Sequence, residues 1–379
     1  MAALSAADFD FELPDAQIAH KPTETREGSR LLLVESRGVS HHLFSSLPEL
    51  IERHVGQGAL LVLNDSKVLR ARLFAKKRLS DGQLGGRVEL LLLEPLGFEA
   101  QRPVWRAMFR VSKPLREHAE LQLLRPDGSP FLEKTLTVQA VEGEGRARFV
   151  FPSDPPLDEL LSEIGALPLP PYIVQKREKL AGSERFSDDD TRYQTVYAKE
   201  LGSVAAPTAG LHFSEKLLSE LSDRGIESAR VTLHVGPGTF LPLRDEDPDK
   251  HVMHAERYVV PEETCEAIAR ARREGRKVLA VGTTVVRTLE SATRPGKNVP
   301  EAAVGETQLF IRPQPPTFRY PFAAVDALLT NFHLPRSTLL MLVAAFAGRE
   351  RMLSAYREAV SSGYRFYSYG DAMLLPCRM

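Results

Sequence analysis

The stretch that decides the fold reads VAAPTAGLHF at residues 204–213 and, after a helix and a turn, VTLHVGPGTF at residues 231–240. The first segment is rich in turn formers, and Ser214 behind it is a typical helix N-cap. Leucines then recur at helical spacing up to Gly225, which can end the helix. Residues 229–235 alternate between apolar and polar side chains, as a strand does. This stretch therefore predicts a loop–helix–strand–loop unit.

Two histidines of this unit lie at the ends of its elements. His212 lies near one end of the helix and His234 near one end of the strand. A histidine flanked by apolar residues is more often a half-buried, hydrogen-bonded side chain than a catalyst. Two loops dense in Gly, Pro and Thr on either side of one helix favour a pocket, because element ends commonly carry function.

The part of the chain beyond residue 200 alternates between strands and helices, which predicts an α/β core. A strand at 277–281 runs into Gly282-Thr283-Thr284 and then into a helix. Such a turn directs backbone N–H groups and the positive helix end to one place, which suits an anion. The same turn also occurs without a ligand in many α/β proteins.

Short strands dominate the sequence from about residue 86 to residue 152. They are separated by Gly, Pro and Asp at intervals of roughly ten residues, which is typical of a small β-sandwich or barrel. We therefore predict an α/β core domain, 1–69 plus 176–379, with an inserted all-β domain, a small barrel, at 70–175.

Composition narrows the class of protein. The chain has 379 residues, 43% hydrophobic and 26% charged residues, and a net charge of −1. These values are ordinary for a globular protein of two or three domains and do not by themselves indicate a nucleic-acid partner. The two cysteines do not form a disulfide framework, which fits the cytoplasm. The longest apolar run, 339–347, is too short to span a membrane.

A basic segment is the strongest local charge signal. No acidic residue occurs from Ser66 to Ser80, whereas the segment contains Lys67, Arg70, Arg72, Lys76, Lys77 and Arg78. Basic runs often form only a solvated face. The functional alternative is contact with phosphates, which gives salt-dependent and sequence-independent affinity for nucleic acid.

Several nucleotide and metal motifs are absent from the sequence. No Gly-x-Gly-x-x-Gly follows a strand, which counts against a dinucleotide site or a Rossmann-type methyltransferase. No P-loop is present, so use of ATP is not implied. His251 and His254 lack a further clear cluster of metal ligands, and we expect a site without a metal.

Long motifs recur in one order through almost the whole chain. They are SRLL (29–32), NDS (64–66), GGRVE (85–89), PPYI (170–173), RYQTVY (192–197) and YRFYSYGD (364–371), with residues 205–213, 231–240, 251–256, 280–290 and 329–347. Together they resemble one family, the tRNA ribosyltransferase-isomerases of queuosine biosynthesis, which use S-adenosylmethionine. Ser66-Lys67 departs from the usual Thr-Arg of the family but keeps the hydroxyl and the charge.

The resemblance implies a fold and a reaction. The family fold is an α/β core that carries an inserted β-barrel. The ribosyl part of the cosubstrate S-adenosylmethionine moves onto 7-aminomethyl-7-deazaguanine at the wobble position of tRNA. It rearranges to an epoxycyclopentane, and adenine and methionine leave. The implied partners are tRNAs with GUN anticodons, which accept aspartate, asparagine, histidine and tyrosine. No metal is implied, and we expect a cytoplasmic monomer that does not bind membranes.

The resemblance also implies site residues, by motif membership. Histidine suits proton transfer near neutral pH, and the predicted catalytic residues are His254, Glu256, His234, His212 and His333. The predicted substrate and cosubstrate residues are Arg30, Asp65, Tyr193, Gln194, Thr208, Gly210, Gly236, Gly238, Thr283, Thr284 and Arg287. Glu256 is expected to orient His254 or to act itself, and Arg287 to pair with the cosubstrate carboxylate.

Two other classes of function remain open from the residues alone. A non-catalytic RNA-binding protein would bind tRNA without releasing adenine. A methyltransferase would release S-adenosylhomocysteine, although the missing glycine-rich loop counts against it.

Overall fold

The computed structural model describes residues 4–143, 145–181, 188–236, 238, 243, 246–314 and 320–378. Parts of the predicted loop at 231–240, namely 237, 239 and 240, lie outside the described residues.

The helices and strands of the described residues follow one another along the chain. The helices are α1 (Leu47–Leu50), α2 (Leu157–Ile164), α3 (Pro171–Ala181), α4 (Asp189–Arg192), α5 (Glu215–Asp223), α6 (Glu262–Arg273), α7 (Thr283–Ser291), α8 (Thr338–Ala347) and α9 (Arg349–Ser361). The strands are β1 (Arg30–Glu35), β2 (Gly38–Leu43), β3 (Leu60–Asn64), β4 (Ser66–Val68), β5 (Arg72–Arg78), β6 (Leu84–Glu99), β7 (Arg102–Val111), β8 (Glu120–Leu124), β9 (Pro130–Gly143), β10 (Arg146–Val150), β11 (Glu200–Ser203), β12 (Ser228–Leu233), β13 (Glu256–Val260), β14 (Val278–Val281), β15 (Ala303–Thr307), β16 (Ala327–Asn331) and β17 (Ala372–Leu375).

The chain packs as two compact units. One contains Met1–Lys67, Pro170–Glu200 and Ala206–Met379, and the other contains Val68–Leu169 and Leu201–Ala205. The domain ranges drawn from the sequence stay a prediction.

The larger unit contains a nine-stranded sheet in the order β15-β13-β12-β3-β14-β16-β17-β1-β2 among the described residues. Strands β12, β3, β14 and β16 run parallel to one another. Strands β3, β14 and β16 are buried along their whole length. Continuous apolar strands are typical of a parallel sheet that is covered on both faces.

Helix α5 shows how the sequence builds this unit. Ser214 is its N-cap, and the Ser214 Oγ accepts a hydrogen bond of 3.0 Å from the Leu217 N–H. Leu217 and Leu221 are buried in a core cluster with Leu61 and Leu279 of the sheet. The predicted amphipathic helix therefore covers the sheet with its apolar face.

The smaller unit contains a closed barrel of six strands in the order β10-β7-β6-β5-β8-β9. Alternate residues of β5, including Leu73 and Ala75, point into its core, and α2 adds Leu160 and Ile164 to the same apolar cluster. The fold class predicted from the sequence, an α/β core with an inserted small barrel, is confirmed.

Helix α8 is the most apolar helix and spans ten residues. Within the part of the chain that the structure describes, no helix has the length and apolar character that crossing a membrane requires.

Candidate functional site

The candidate site lies at one edge of the large sheet. Because β12, β3, β14 and β16 are parallel, their carboxyl ends meet at the same edge. Ligands of open α/β sheets bind in the crevice at this edge, especially where neighbouring connections leave in opposite directions.

Asn64, the last residue of β3, connects several elements at this edge through hydrogen bonds of its side-chain amide. Its Oδ1 accepts hydrogen bonds from the N–H groups of Leu233, at 3.0 Å, and Ser66, at 3.1 Å. Its Nδ2 donates to the Leu233 carbonyl at 3.0 Å and to the Thr284 Oγ1 at 3.3 Å. The amide thereby fixes the end of β12 and the start of α7 relative to β3.

A pocket open to solvent on one side lies at this edge, with about 800 Å³ of space including its mouth. Its described walls are Ala206, Pro207, Thr208, Ala209, Val235, Gly282, Thr283, Thr284, Thr330, Asn331, Phe332, His333, Leu334, Pro335, Ser337, Leu339, Tyr367 and Ser368. No Asp, Glu, Lys or Arg occurs among these lining residues. The lining is mostly apolar, and its polar groups are neutral ones.

His333 is the histidine of the pocket wall. Its side chain is buried, and its Nε2 lies 3.0 Å from the Thr330 Oγ1. Burial lowers the pKa of His333 to about 3, so the imidazole is neutral at physiological pH. The backbone N–H of His333 donates to the Tyr356 hydroxyl at 3.1 Å, which fixes the turn after β16.

His212 is buried behind the pocket rather than in its wall. The Asn331 Nδ2 donates to its Nε2 at 3.1 Å, and its Nδ1 lies 2.6 Å from the Ser29 Oγ. Its ring stacks on Phe44 with 4.9 Å between the centroids. Burial, followed by the nearby Arg365 and Arg26, lowers the pKa of His212 to about 3. Both ring nitrogens are thus engaged inside the protein.

Asn331 and Tyr367 form a further part of the wall. Asn331 also donates through Nδ2 to the Tyr367 carbonyl at 3.2 Å. Tyr367 has a φ of 77°, which is rare for a residue with a side chain. Its ring packs on Tyr172 with 4.2 Å between the centroids. Such a strained backbone persists only where the surrounding contacts fix it, and these often define binding sites.

Glu256 and Arg287 form a buried ion pair outside the pocket wall. Glu256 also accepts a 2.9 Å hydrogen bond from the Gly236 N–H, and the Arg287 Nε donates to the Leu309 carbonyl at 3.0 Å. The guanidinium expected to meet a cosubstrate carboxylate is therefore engaged by Glu256. The pair positions the loop after β12 instead of reaching the pocket.

His254 and His234 lie on the same side of the sheet edge. His254 is exposed and packs against Gly238, where an added Cβ would lie 2.5 Å from the His254 Cδ2. A side chain at position 238 would therefore require the His254 ring to shift. His234 is half-buried, and its Nδ1 has no partner among the described residues. Burial is the main cause that lowers the pKa of His234.

Asp65 lies next to the pocket edge in a buried polar cluster. The Thr232 Oγ1 donates to the Asp65 Oδ1 at 2.7 Å, and burial raises the pKa of the Asp65 carboxyl. Arg230 lies over the Tyr197 ring, 4.9 Å from its centroid. Asp65 does not line the pocket.

The remaining predicted substrate residues occupy interior positions. The Arg30 guanidinium lies 3.8 Å from the Tyr364 ring centroid and donates to the Ser362 carbonyl at 2.6 Å. Tyr193 is fully buried against Tyr369, and Gln194 is half-buried. Gly210 is packed so closely that an added Cβ would lie 2.1 Å from the Tyr197 hydroxyl. Of the predicted site residues, Thr208, Thr283, Thr284 and His333 line the pocket.

The basic segment divides into engaged and available side chains. The Arg72 Nε pairs with Glu89 at 2.6 Å, the Arg70 Nε donates to the Gly165 carbonyl at 2.8 Å, and the Lys77 Nζ donates to the Lys113 carbonyl at 2.7 Å. Burial lowers the pKa of Lys77. Lys67 and Arg78 are exposed and Lys76 is half-exposed. Arg72, Phe74 and Lys76 alternate with buried residues and so lie on the outer face of β5.

Within the described residues, no group of three His, Cys, Asp or Glu side chains is placed to hold a metal ion. The expectation of a metal-free site stays a prediction.

Sequence reasoning missed several pocket residues: Thr330, Asn331, Tyr367 and Ser368. A signal for the first two was present, because the apolar residues Ala327 to Leu329 of β16 are followed by Thr330-Asn331, and polar residues at the end of a parallel strand reach the binding edge. Tyr367 and Ser368 lie in the YRFYSYGD motif at 364–371, but no local pattern in that loop indicated that it reaches the pocket.

The fold and the pocket define a protein of the α/β class whose ligand site lies at the carboxyl edge of parallel strands. A family model described as queuosine biosynthesis protein matches residues 6–375. The S-adenosylmethionine:tRNA ribosyltransferase-isomerase of Anaeromyxobacter dehalogenans is 50% identical over 372 residues, which is 97% of this chain and 98% of that relative. The same enzyme of Thermus thermophilus is 50% identical over 371 residues, again 97% of this chain and 98% of that relative.

A solved structure agrees with these relatives. The crystal structure of S-adenosylmethionine tRNA ribosyltransferase from Thermotoga maritima is similar with a TM-score of 0.51 and 34% identity, covering 97% of this chain and 99% of that one. The chain belongs to the queuosine biosynthesis protein family, the tRNA ribosyltransferase-isomerases. The resemblance seen in the motifs and the prediction of an enzyme are confirmed.

Proposed function

We propose that this enzyme transfers the ribosyl part of S-adenosylmethionine onto 7-aminomethyl-7-deazaguanine at the wobble position of tRNA and isomerises it. The products are epoxyqueuosine tRNA, adenine and methionine. The observation that carries the proposal is the match to relatives of this name over 97% of the chain. The proposed substrates are tRNAs with GUN anticodons, for aspartate, asparagine, histidine and tyrosine, and the proposed enzyme acts as a cytoplasmic monomer.

The reaction requires removal of one proton, protonation of the leaving adenine and a neutral amine. The sulfonium acidifies the neighbouring C–H, so a base removes a proton from the ribose 5′ carbon. The resulting ylide expels adenine, which takes up a proton as it leaves. The aminomethyl group must be neutral to attack. Each of these requirements is met by a positioned acid or base with a suitable pKa.

The geometry supports different roles for the predicted catalytic residues. His212 has both ring nitrogens engaged, and Glu256 is paired with Arg287, so both are proposed to position neighbouring groups. His254 is exposed beside Gly238, three residues beyond the pocket-lining Val235, and His234 has an unpartnered Nδ1 among the described residues. We therefore place proton transfer on His254 and His234.

The other predicted residues fall into two binding groups. Thr208, Thr283 and Thr284 line the pocket and are proposed to hold the cosubstrate. Lys67, Lys76 and Arg78 are proposed to contact tRNA phosphates.

Product analysis by mass spectrometry tests the proposed reaction. The purified chain is incubated with S-adenosylmethionine and an anticodon stem-loop that carries the aminomethyl-deazaguanine. We expect free adenine and methionine together with a ribosyl-derived mass gain on the RNA. The His254→Ala variant, measured at saturating substrates in a single turnover, is expected to be at least ~100-fold slower.

Other outcomes would select another function. RNA binding without adenine release would favour a non-catalytic RNA-binding protein. A mass gain of one methyl group with S-adenosylhomocysteine would favour a methyltransferase. A near-normal single-turnover rate of His254→Ala would remove His254 from proton transfer while leaving the reaction in place.

A further inference from the structure

Helix α7 begins at the pocket without a cap. Its N-cap is Gly282, whose φ is 92° and which has no side chain to bond the first turn. In the part of the chain that the structure describes, the N–H groups of Thr283, Thr284 and Val285 donate to no protein group. The first N–H groups of a helix need an acceptor from outside the helix. Thr283 and Thr284 line the pocket, so the missing acceptor can come from a ligand there.

His333 presents a second donor to the same pocket. The Thr330 hydroxyl is buried, and its one hydrogen-bond partner among the described residues is the His333 Nε2. A buried hydroxyl is satisfied when it donates. On this ground we assign Thr330 as the donor to Nε2, which places the ring proton of the neutral imidazole on Nδ1. No described residue is bonded to that Nδ1, and His333 is only 8% exposed.

The two donors belong to neighbouring parts of the sheet edge. Strand β14 pairs with β16 in a register that places Val281 opposite Leu329. The next residue, Gly282, donates its N–H to the Leu329 carbonyl at 2.7 Å. Thr283 therefore begins α7 beside Thr330, the residue that holds His333.

The chemistry of this wall matches one kind of ligand group. It offers neutral donors and the positive end of a helix, with no charged lining residue among those described. Such a site suits an anion with several acceptor positions. The same wall contains Asn331, whose buried Oδ1 has no partner among the described residues and is complementary to an ammonium group. A carboxylate next to an ammonium group is an α-amino acid.

We infer that the N-terminus of α7 and the His333 Nδ1–H bind the α-carboxylate of the amino-acid part of S-adenosylmethionine. This inference rests on the proposed function. It gives His333 the role of a neutral hydrogen-bond donor and removes it from proton transfer. It also assigns the carboxylate to this site in place of Arg287.

Calorimetric titration with two ligands tests the carboxylate site. The ligands are S-adenosylmethionine and its decarboxylated analogue, which lacks only the carboxylate. We expect the unaltered chain to bind S-adenosylmethionine at least ~10-fold more tightly than the analogue, because hydrogen bonds to a charged group are the strong ones. His333→Leu removes the donor and is expected to reduce this ratio by roughly ten-fold. His333→Asn keeps an N–H near the position of Nδ1 and is expected to retain most of the ratio.

A second variant addresses the helix end. Thr283→Pro deletes one N–H at the first position of α7, where proline is well tolerated. We expect it to weaken binding of S-adenosylmethionine several-fold more than binding of the analogue, so that the ratio of the two affinities falls. If His333→Leu does not fold, Thr283→Pro alone tests the carboxylate site.

The outcomes separate this inference from the proposed function. Equal affinity of the unaltered chain for both ligands overturns the carboxylate site, and so does a ratio that is unchanged in Thr283→Pro or in folded His333→Leu. If adenine is still released from S-adenosylmethionine in those cases, the proposed function stands alone. A chain that binds neither ligand and releases no adenine contradicts the proposed function itself.

Discussion

Two regions of the molecule differ in the kind of polar group they present. The pocket in the α/β unit has neutral polar groups, whereas the outer face of strand β5 in the barrel has cations. The described walls of the pocket contain hydroxyls, an amide and a neutral histidine but no charged side chain. The outer face of β5 carries Arg72 and Lys76 on either side of Phe74, and the exposed Arg78 ends the strand. The Arg87 guanidinium from β6 lies 4.2 Å from the Phe74 ring centroid.

The difference follows from solvation. A charge inside a narrow pocket loses its hydration, so oriented neutral groups are the less costly way to bind a small polar ligand. Cations on an open strand keep their hydration and interact with phosphates over a distance that salt sets. The two regions should therefore respond differently to pH and to salt.

The largest expected effect concerns the neutral histidine behind the pocket. The pKa of His212 is about 3 in the folded chain, against 6.5 ordinarily, so below pH 6.5 the unfolded chain takes up a proton that the folded chain does not. The free energy of unfolding contributed by His212 is therefore complete above pH 6.5 and is lost as the pH falls towards 3. At pH 5 the loss is about 2 kcal/mol. Urea unfolding of the unaltered chain and of His212→Asn should show this contribution to the pH dependence disappearing in the variant.

The control for this prediction is a histidine at the surface. His118 is exposed, and His118→Asn retains His212, so the contribution of His212 to the pH dependence of unfolding should persist in this variant. An equally steep pH dependence in His212→Asn would mean that His212 does not remain neutral.

A smaller effect is expected for the outer face of β5. Replacing Lys76 and Arg78 by Gln should remove about two phosphate contacts and lower the slope of log affinity for tRNA against log salt by about 1.5. When the salt concentration rises fourfold, the affinity for tRNA should then fall by a factor about eight times smaller in the variant than in the unaltered chain. Filter binding or calorimetry at several salt concentrations measures the slope.

Lys77→Gln provides the matched comparison on the same strand. Because Lys77 donates to the carbonyls of Lys113 and Pro114 within the barrel, its loss should change the salt slope least. An unchanged slope in the double variant would move the tRNA contacts away from β5.

The smallest effect is expected for the cosubstrate itself. Without charged groups in the described pocket walls, the affinity for S-adenosylmethionine should change less than about two-fold between 50 and 200 mM salt. Calorimetric titration at the two salt concentrations measures it. A strong salt dependence would show that a side chain with a full charge approaches the ligand.

Some of the fold and part of the site could be predicted from local patterns. The short strands of the barrel, the Ser214 cap of α5 and the turn before α7 all depend on residues close in sequence. Local sequence patterns could not show whether Arg287 is available for the role expected of it. Its partner Glu256 lies 31 residues away, on β13, and no local pattern reveals that the two charges neutralise each other in the interior.

The histidines are a clearer example of what local sequence patterns do not reveal. Four of them, His212, His234, His254 and His333, fall in family motifs and look equivalent in sequence as sites for proton transfer. The structure gives them different environments. His212 bonds to Ser29 and Asn331, which are 183 and 119 residues away in the chain. His254 remains exposed, and His333 is buried with one nitrogen bonded to Thr330.

The sequence by itself determined the class of fold, the alternation of the barrel strands, the basic segment and the family, because periodicity, capping and motif order are properties of neighbouring residues. The tertiary structure alone decided which polar groups share one pocket, which charges are paired and which histidines stay neutral. Those properties depend on burial and on hydrogen bonds between distant segments, which set the solvation of each group.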